Sequence, residues 1–180
     1  MSQEFIKLQE FSANTLFYGT TNVVFAAADN SISKTGIGTN TPAGQEISIS
    51  SAEDTANDGV WTCSSVSSAD KIIVTGGTIT GNTDDDTAVL KGQISTGWID
   101  VSLYSRIVAI ISSNQNATIT LQWASSKTGT AAVSAATNIT GGTPTSVASE
   151  TLAKFLRIRI ITNAAATATV TGTVWAKATT

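Results

Sequence analysis

Three groups of side chains have the types and spacing for chemistry, and two of them are acidic. Glu53 and Asp54 are adjacent, with Asp58 four positions on, and Asp84, Asp85 and Asp86 form a run. Two carboxylates about 5 to 9.5 Å apart in a cleft are what glycoside hydrolysis needs. Several oxygens around one point are what Ca²⁺ needs. Both acidic groups lie in stretches rich in Gly, Thr and Asn, which is loop composition. Three readings therefore stand: solvated loop charge, a weak cation site at Asp84–Asp86, and acid–base catalysis by Asp54 and Asp58. The first is the plain expectation.

The third group is Arg157, Arg159 and Trp175. The two arginines are two residues apart in an alternating segment, so they share one face. They read as an exposed polar face, or as a surface for an acidic partner or an intersubunit ion pair, because a guanidinium grips a carboxylate with two hydrogen bonds. By the same alternation Trp175 falls on the outward side with them. An outward Trp suits an interface, cross-strand packing or a sugar platform.

Other chemistry is excluded by count. The chain has no His, so Ser-His-Asp and Cys-His catalysis, His-ligated zinc and the usual pH switch are absent. Its one Cys, Cys63, forms no internal disulfide and no metal cluster. It sits mid-strand beside Thr62 and Ser64, where a small buried hydrophobe is expected. Lys and Arg number 10 against 13 Asp and Glu, a net charge of −3. With no basic excess to neutralise phosphates, nucleic acid is not expected as a partner. The Asn-x-Thr matches at Asn116 and Asn138 are chance-level in a Thr-rich chain.

These groups need elements to hold them. The 180 residues are 41% hydrophobic but only 13% charged, about half the roughly 25% of ordinary domains. Polarity comes from hydroxyls instead, with 30 Thr and 21 Ser. Thr is β-branched and suits a half-wet pleated surface, so the composition favours β-structure. No run of 18 apolar residues spans a membrane, and the start lacks the pattern of a secretory signal.

The fold class expected is all-β: an N-terminal arm at 1–20, a small β-barrel-like module at 21–93, and an antiparallel, jelly-roll-like β-sandwich at 94–180. The arm concentrates Phe5, Leu8, Phe11 and Phe17. Phe5, Leu8 and Phe11 recur in steps of three, which a short helix would gather on one side. The arm reads either as packed on its own domain or as docking on a partner. In the second part, strands are expected at 22–28, 32–34, 46–50, 60–66 and 71–75, the last two as a hairpin, with Asn57-Asp58-Gly59 as a turn. Residues 78–86 read as a solvated loop. In the third part, strands are expected at 97–101, 106–112, 118–125, 145–149, 155–162 and 167–176. Of these, 106–112 is so apolar that burial on both faces is expected. Residues 127–142 read as a small, polar connection. Trp61, Trp98 and Trp123 are core candidates. Each β module is near the lower size limit for an independent core, so docking or oligomerisation would help.

The stretches Val23–Ile32, Gly44–Ser50, Asn57–Val66 and Lys71–Val74 together resemble a small β-barrel module of tailed-bacteriophage virion proteins. The stretches Thr96–Ile107 and Phe155–Ala164 are similar to the jelly-roll-like sandwiches of phage head decoration, fibre and tail-associated proteins. One departure is Asn114-Gln115-Asn116, where an acidic residue is usual, so no metal site is carried over. The resemblance implies a non-enzymatic capsid decoration (cement) protein. Such a protein binds the outer surface of the assembled shell, bridges neighbouring capsomers and stabilises the head. Its partner would be the major capsid protein and its location the virion surface, after synthesis in the host bacterial cytoplasm. A homo-oligomer, a trimer by preference, would match the symmetry of the shell. No cofactor, membrane or nucleic acid is implied. The alternative is a fibre or tail-associated adhesion module that binds host glycans.

Overall fold

A computed structural model of the chain describes residues 4–128 and 130–178; residues 1–3 of the expected arm, Gly129 and residues 179–180 lie outside the description. The regular structure of the described residues is nearly all strand. The first nine strands are β1 (Phe5–Leu16), β2 (Tyr18–Thr20), β3 (Val23–Ala26), β4 (Ser31–Ser33), β5 (Glu46–Ser50), β6 (Gly59–Ser68), β7 (Lys71–Thr75), β8 (Asn82–Asp85) and β9 (Val89–Ser95). A single turn of α-helix, α1 (Ile37–Asn40), and a 3₁₀ turn at Thr55–Asn57 interrupt them. Then follow β10 (Ile99–Asp100), β11 (Tyr104–Ser113), β12 (Ala117–Ala124), β13 (Val133–Ile139), β14 (Thr145–Glu150), β15 (Phe155–Thr162) and β16 (Ala168–Ala178).

The chain forms two compact units, each built from separate stretches. One takes Met1–Asn14, Ser95–Ile160 and Thr169–Thr180, the other Thr15–Ile94 and Ile161–Ala168.

The first unit is a sandwich of two sheets. One has the strand order β1-β16-β11-β14. The other runs β13-β12-β15, with β10 also paired to β15. The pleat sends alternate residues to opposite faces, and both sheets obey it. Ile107, Ala109 and Ile111 of β11 are buried, as are Val170, Val174 and Ala176 of β16. From the other sheet Ile119, Leu121 and Trp123 of β12 and Leu156, Ile158 and Ile160 of β15 are buried. The strong alternation at 118–125 and 155–162 is what makes these two strands legible in advance.

The second unit is an antiparallel sheet in the order β9-β5-β6-β7-β4-β3-β8, with β2 beside β9. Among the described strands no pairing of β8 with β9 closes it. Its core contains Phe17, Phe25, Ile32, Ile47, Trp61, Cys63, Ile72 and Leu90. The expected hairpin of residues 60–66 with 71–75 is present as β6 and β7, with two bulges in its register.

Where strands stop, side-chain amides stand in for backbone. The Asn57 side chain donates to the Thr80 carbonyl and accepts the Thr80 N–H, each at 2.9 Å. The Asn30 side chain donates to the carbonyls of Val74 and Gly77 and accepts the N–H of Ile79 at 2.6 Å. In the sandwich, Asn114 accepts the Thr169 N–H at 2.7 Å through its side chain and donates its own N–H to the Thr169 carbonyl. Each pairs backbone groups that would otherwise be unsatisfied in a loop.

Three expectations are corrected. Residues 5–16 are a strand, not a helix, because β1 is hydrogen-bonded beside β16 and a sheet partner outweighs a weak helical spacing. Residues 82–85 and 133–139 are strands rather than loops. The first sequence is polar and the second mostly small, so neither shows a strong apolar alternation, and pairing with β3 and β12 supplies the ladder. Strand β11 is buried on one face only: Val108 is half-buried and Ile110 is 44% exposed.

Gly92 tests the packing of the second unit. A Cβ there would lie 2.5 Å from the Phe17 nitrogen and 3.0 Å from the Leu16 carbonyl carbon. Backbone cannot yield as a flexible side chain can, so Gly92→Ala is expected to cost about 1–3 kcal/mol. Gly97, with open space around it, is the control. Thermal unfolding should show a lower Tm for Gly92→Ala and little change for Gly97→Ala.

Candidate functional site

The acidic groups resolve first. Asp54 accepts the Ala56 N–H and the Thr80 hydroxyl, the latter at 2.6 Å. These bonds, the hydroxyl's foremost, hold its carboxyl below the ordinary range. Asp58 accepts the Ala52 N–H at 2.9 Å. Asp58 thus closes its own loop, and Asp54 also ties that loop to the one after β7. In the Asp run, Asp84 is exposed and Asp86 accepts the Asn22 N–H. Asp85, expected in a solvated loop, is instead fully buried. Its carboxylate gathers the N–H groups of Glu53 (2.8 Å), Thr87 (2.9 Å) and Ala88 (2.7 Å), with the Thr87 hydroxyl at 3.2 Å. Among the described residues no group of three acidic or thiol side chains has a metal-binding arrangement.

Burial alone would raise the Asp85 pKa, but the backbone donors outweigh it and hold the carboxyl below its ordinary value. A depressed folded pKa means stability that is fully present above the unfolded value and lost as pH falls through the folded one. Asp85→Ala is therefore expected to cost about 1–3 kcal/mol near neutral pH, because it leaves three backbone donors without their acceptor, the Ala88 N–H among them buried. The deficit against wild type should shrink below about pH 4. Urea melts of both chains across the acid range check this.

Arg157 and Arg159 sit half-buried on β15. The Arg157 Nε donates to the Gln122 Oε1 at 2.8 Å, and its guanidinium lies over the Trp98 ring, 4.7 Å from the centroid. This arginine is committed within its own sheet rather than held ready for a partner. Trp98, expected in the core, is half-buried beneath it, whereas Trp123 and Trp61 are core residues. Phe155, which by alternation shares the arginines' face of β15, is nonetheless 8% exposed and lies beside the ammonium groups of Lys127 and Lys154. Cys63 is buried, and burial pushes its thiol pKa up, which suits an inert hydrophobe.

Trp175 is outward, as expected, but not beside the arginines. It belongs to β16, in the four-stranded sheet, whereas Arg157 and Arg159 belong to β15 in the other. What it meets instead is Phe5. An open cleft of about 300 Å³ on the outer face of the four-stranded sheet is lined by Phe5, Val108 and Trp175. The register explains the grouping, because Val108 stands opposite Trp175 on β16 and Ala148 on β14. The next row outward holds Thr173, Ile110 and Ser146. A charged row, Lys177, Arg106 and Glu150, borders the apolar one on its other side.

Of the four aromatic and aliphatic arm residues, Phe5 is half exposed and Leu8 half-buried, while Phe11 and Phe17 are 3% exposed. Phe11 and Phe17 therefore present no surface to a partner. The site thus joins Phe5 and Trp175, two candidates far apart in sequence. It adds Val108 and Ile110, whose outward face was masked by the unbroken apolar run around them.

In comparisons with known proteins, no family model and no curated sequence matches this chain. Among the described residues no helix is long and apolar enough to cross a membrane.

Proposed function

We propose that this protein is a non-enzymatic virion component of the capsid decoration type, which docks on the assembled shell through the cleft of Phe5, Val108 and Trp175. The observation that carries the reading is the apolar row on the outer face of the four-stranded sheet, in a chain whose polarity is mostly hydroxyl. Contiguous exposed apolar surface marks an interaction site. Large aromatic side chains at its centre are the types that dominate binding energy. The occupant this shape fits is an apolar side chain or loop of another protein. The adjacent charged row gives orientation more than affinity.

The resemblance to phage decoration proteins points to the major capsid protein as that partner. Binding only the assembled lattice stabilises it by mass action. Removing residues 1–20 is a poor test, because β1 is part of the sheet and Leu16 and Phe17 are buried. Point changes on the outer face are cleaner.

The test is the copy number of this chain in purified particles of the phage that carries its gene, measured by quantitative mass spectrometry against the major shell protein. A ratio near one-to-one, or a simple fraction of it, is expected. The double variant Phe5→Ser, Trp175→Ser should fold yet lose occupancy by about tenfold or more, the scale of a hot-spot pair. A few copies per particle would shift the reading to a fibre or tail module, with glycans as the ligand to test at Trp175. Absence from the particle would overturn the virion reading.

A further inference from the structure

Strand β13 is an edge. It pairs with β12 along its whole length, Val133 to Ile139, with no register shift, and among the described strands none follows it in the sheet order. An edge strand presents a row of unpaired N–H and C=O groups, which proteins guard with charge, proline, bulges or shortness. The other sheet edges here are guarded. Strand β1 carries Lys7 and Glu10 in an ion pair and a left-handed residue, Ala13. Strand β14 follows Pro144 and ends in Glu150. Strand β8 carries Asp84 and Asp85, and β2 and β10 are only three and two residues long.

Strand β13 has no such guard. Its sequence, Val-Ser-Ala-Ala-Thr-Asn-Ile, contains no charge and no proline. Residues 133–136 are exposed, Val133 to 45%.

The same sequence is complementary to itself when reversed. Set antiparallel to a second copy with Ala136 on the two-fold axis, Val133 faces Ile139, Ser134 faces Asn138, and Ala135 faces Thr137. Polar then meets polar at Ser134 and Asn138, small side chains sit at the centre where the chains approach most closely, and Val133 lies beside an Ile139 that its own sandwich buries to 1% exposure. Direct cross-strand neighbours are the unit of sheet stabilisation.

We propose that β13 is a docking edge for a second copy of this chain, which adds its own β13 antiparallel about a two-fold axis at Ala136. Two copies of one sheet then become one continuous sheet, and the unguarded edge disappears. The contact is isologous, so it predicts a dimer rather than the trimer expected from capsid symmetry. It is independent of the cleft of Phe5 and Trp175 and survives if the virion reading fails.

The experiment uses the full chain in solution. Sedimentation velocity at concentrations up to about 100 μM is expected to show a monomer–dimer equilibrium. Hydrogen exchange should show amides of residues 134–138 protected at high concentration and released on dilution. Ala136→Lys places two like charges opposite each other at the axis, so dimerisation should weaken about tenfold or more. The pair Ser134→Lys, Asn138→Glu sets opposite charges across the axis and should retain the dimer, whereas Ser134→Lys with Asn138→Lys should lose it. Unchanged circular dichroism confirms that each variant folds, and the exchange experiment needs no variant at all. A monomer throughout the range, a trimer, or a dimer indifferent to these substitutions and without protection of β13 would overturn the proposal.

Discussion

The whole molecule rests on one requirement, that buried backbone polar groups be paired. In a chain this rich in strand the ladders meet it over most of the length. At the breaks between strands it falls to a few side chains that imitate a peptide group or gather several. Asn57 exchanges donor and acceptor with Thr80 as a paired strand residue would. Asn30 ties three backbone groups around the end of β7, and Asp85 collects three N–H groups at the end of β8. A chain poor in charge commits its carboxylates to loop closure, and this is why its acidic clusters look like chemistry in sequence and act as fasteners in the fold.

The second consequence of the same geometry is the surface. Hydrogen-bonded strands must alternate their side chains between faces. A strand as apolar as β11 therefore sends part of its apolar content outward once only one face is covered. Val108 and Ile110 are that surplus. Register then decides their company: Trp175 opposite Val108, Phe5 beside both, and a charged row beyond. The cleft is thus a product of pairing more than of any motif. Trp175 carries an outward signal by itself, but its neighbours come from strands far apart in the chain.

Edges complete the picture. Most are closed to further pairing by charge, proline or brevity, each of which is visible in the sequence once the strand order is known. Before the order is known, the seven residues of β13 read as a bland connection, because its core-facing side, Val133, Ala135, Thr137 and Ile139, carries large apolar residues only at its two ends and buries only Ile139.

The amino-acid sequence by itself determined the all-β class, the core roles of Trp61, Trp123 and Cys63, and strands whose alternation is strong, such as β5, β7 and β15; the expected turn at Asn57–Gly59 lies instead one step earlier, as a 3₁₀ turn at Thr55–Asn57, and Gly59 opens β6. These follow from local preference and from period-two burial, which need no knowledge of partners. Tertiary structure alone decided that residues 5–16 form a strand, that Asp85 is buried, and that Trp175 lies with Phe5 rather than with Arg157 and Arg159. Each of these depends on which strand pairs with which, over separations of tens to more than a hundred residues. Side-chain pattern says which face a residue takes; only strand pairing says which neighbours share it.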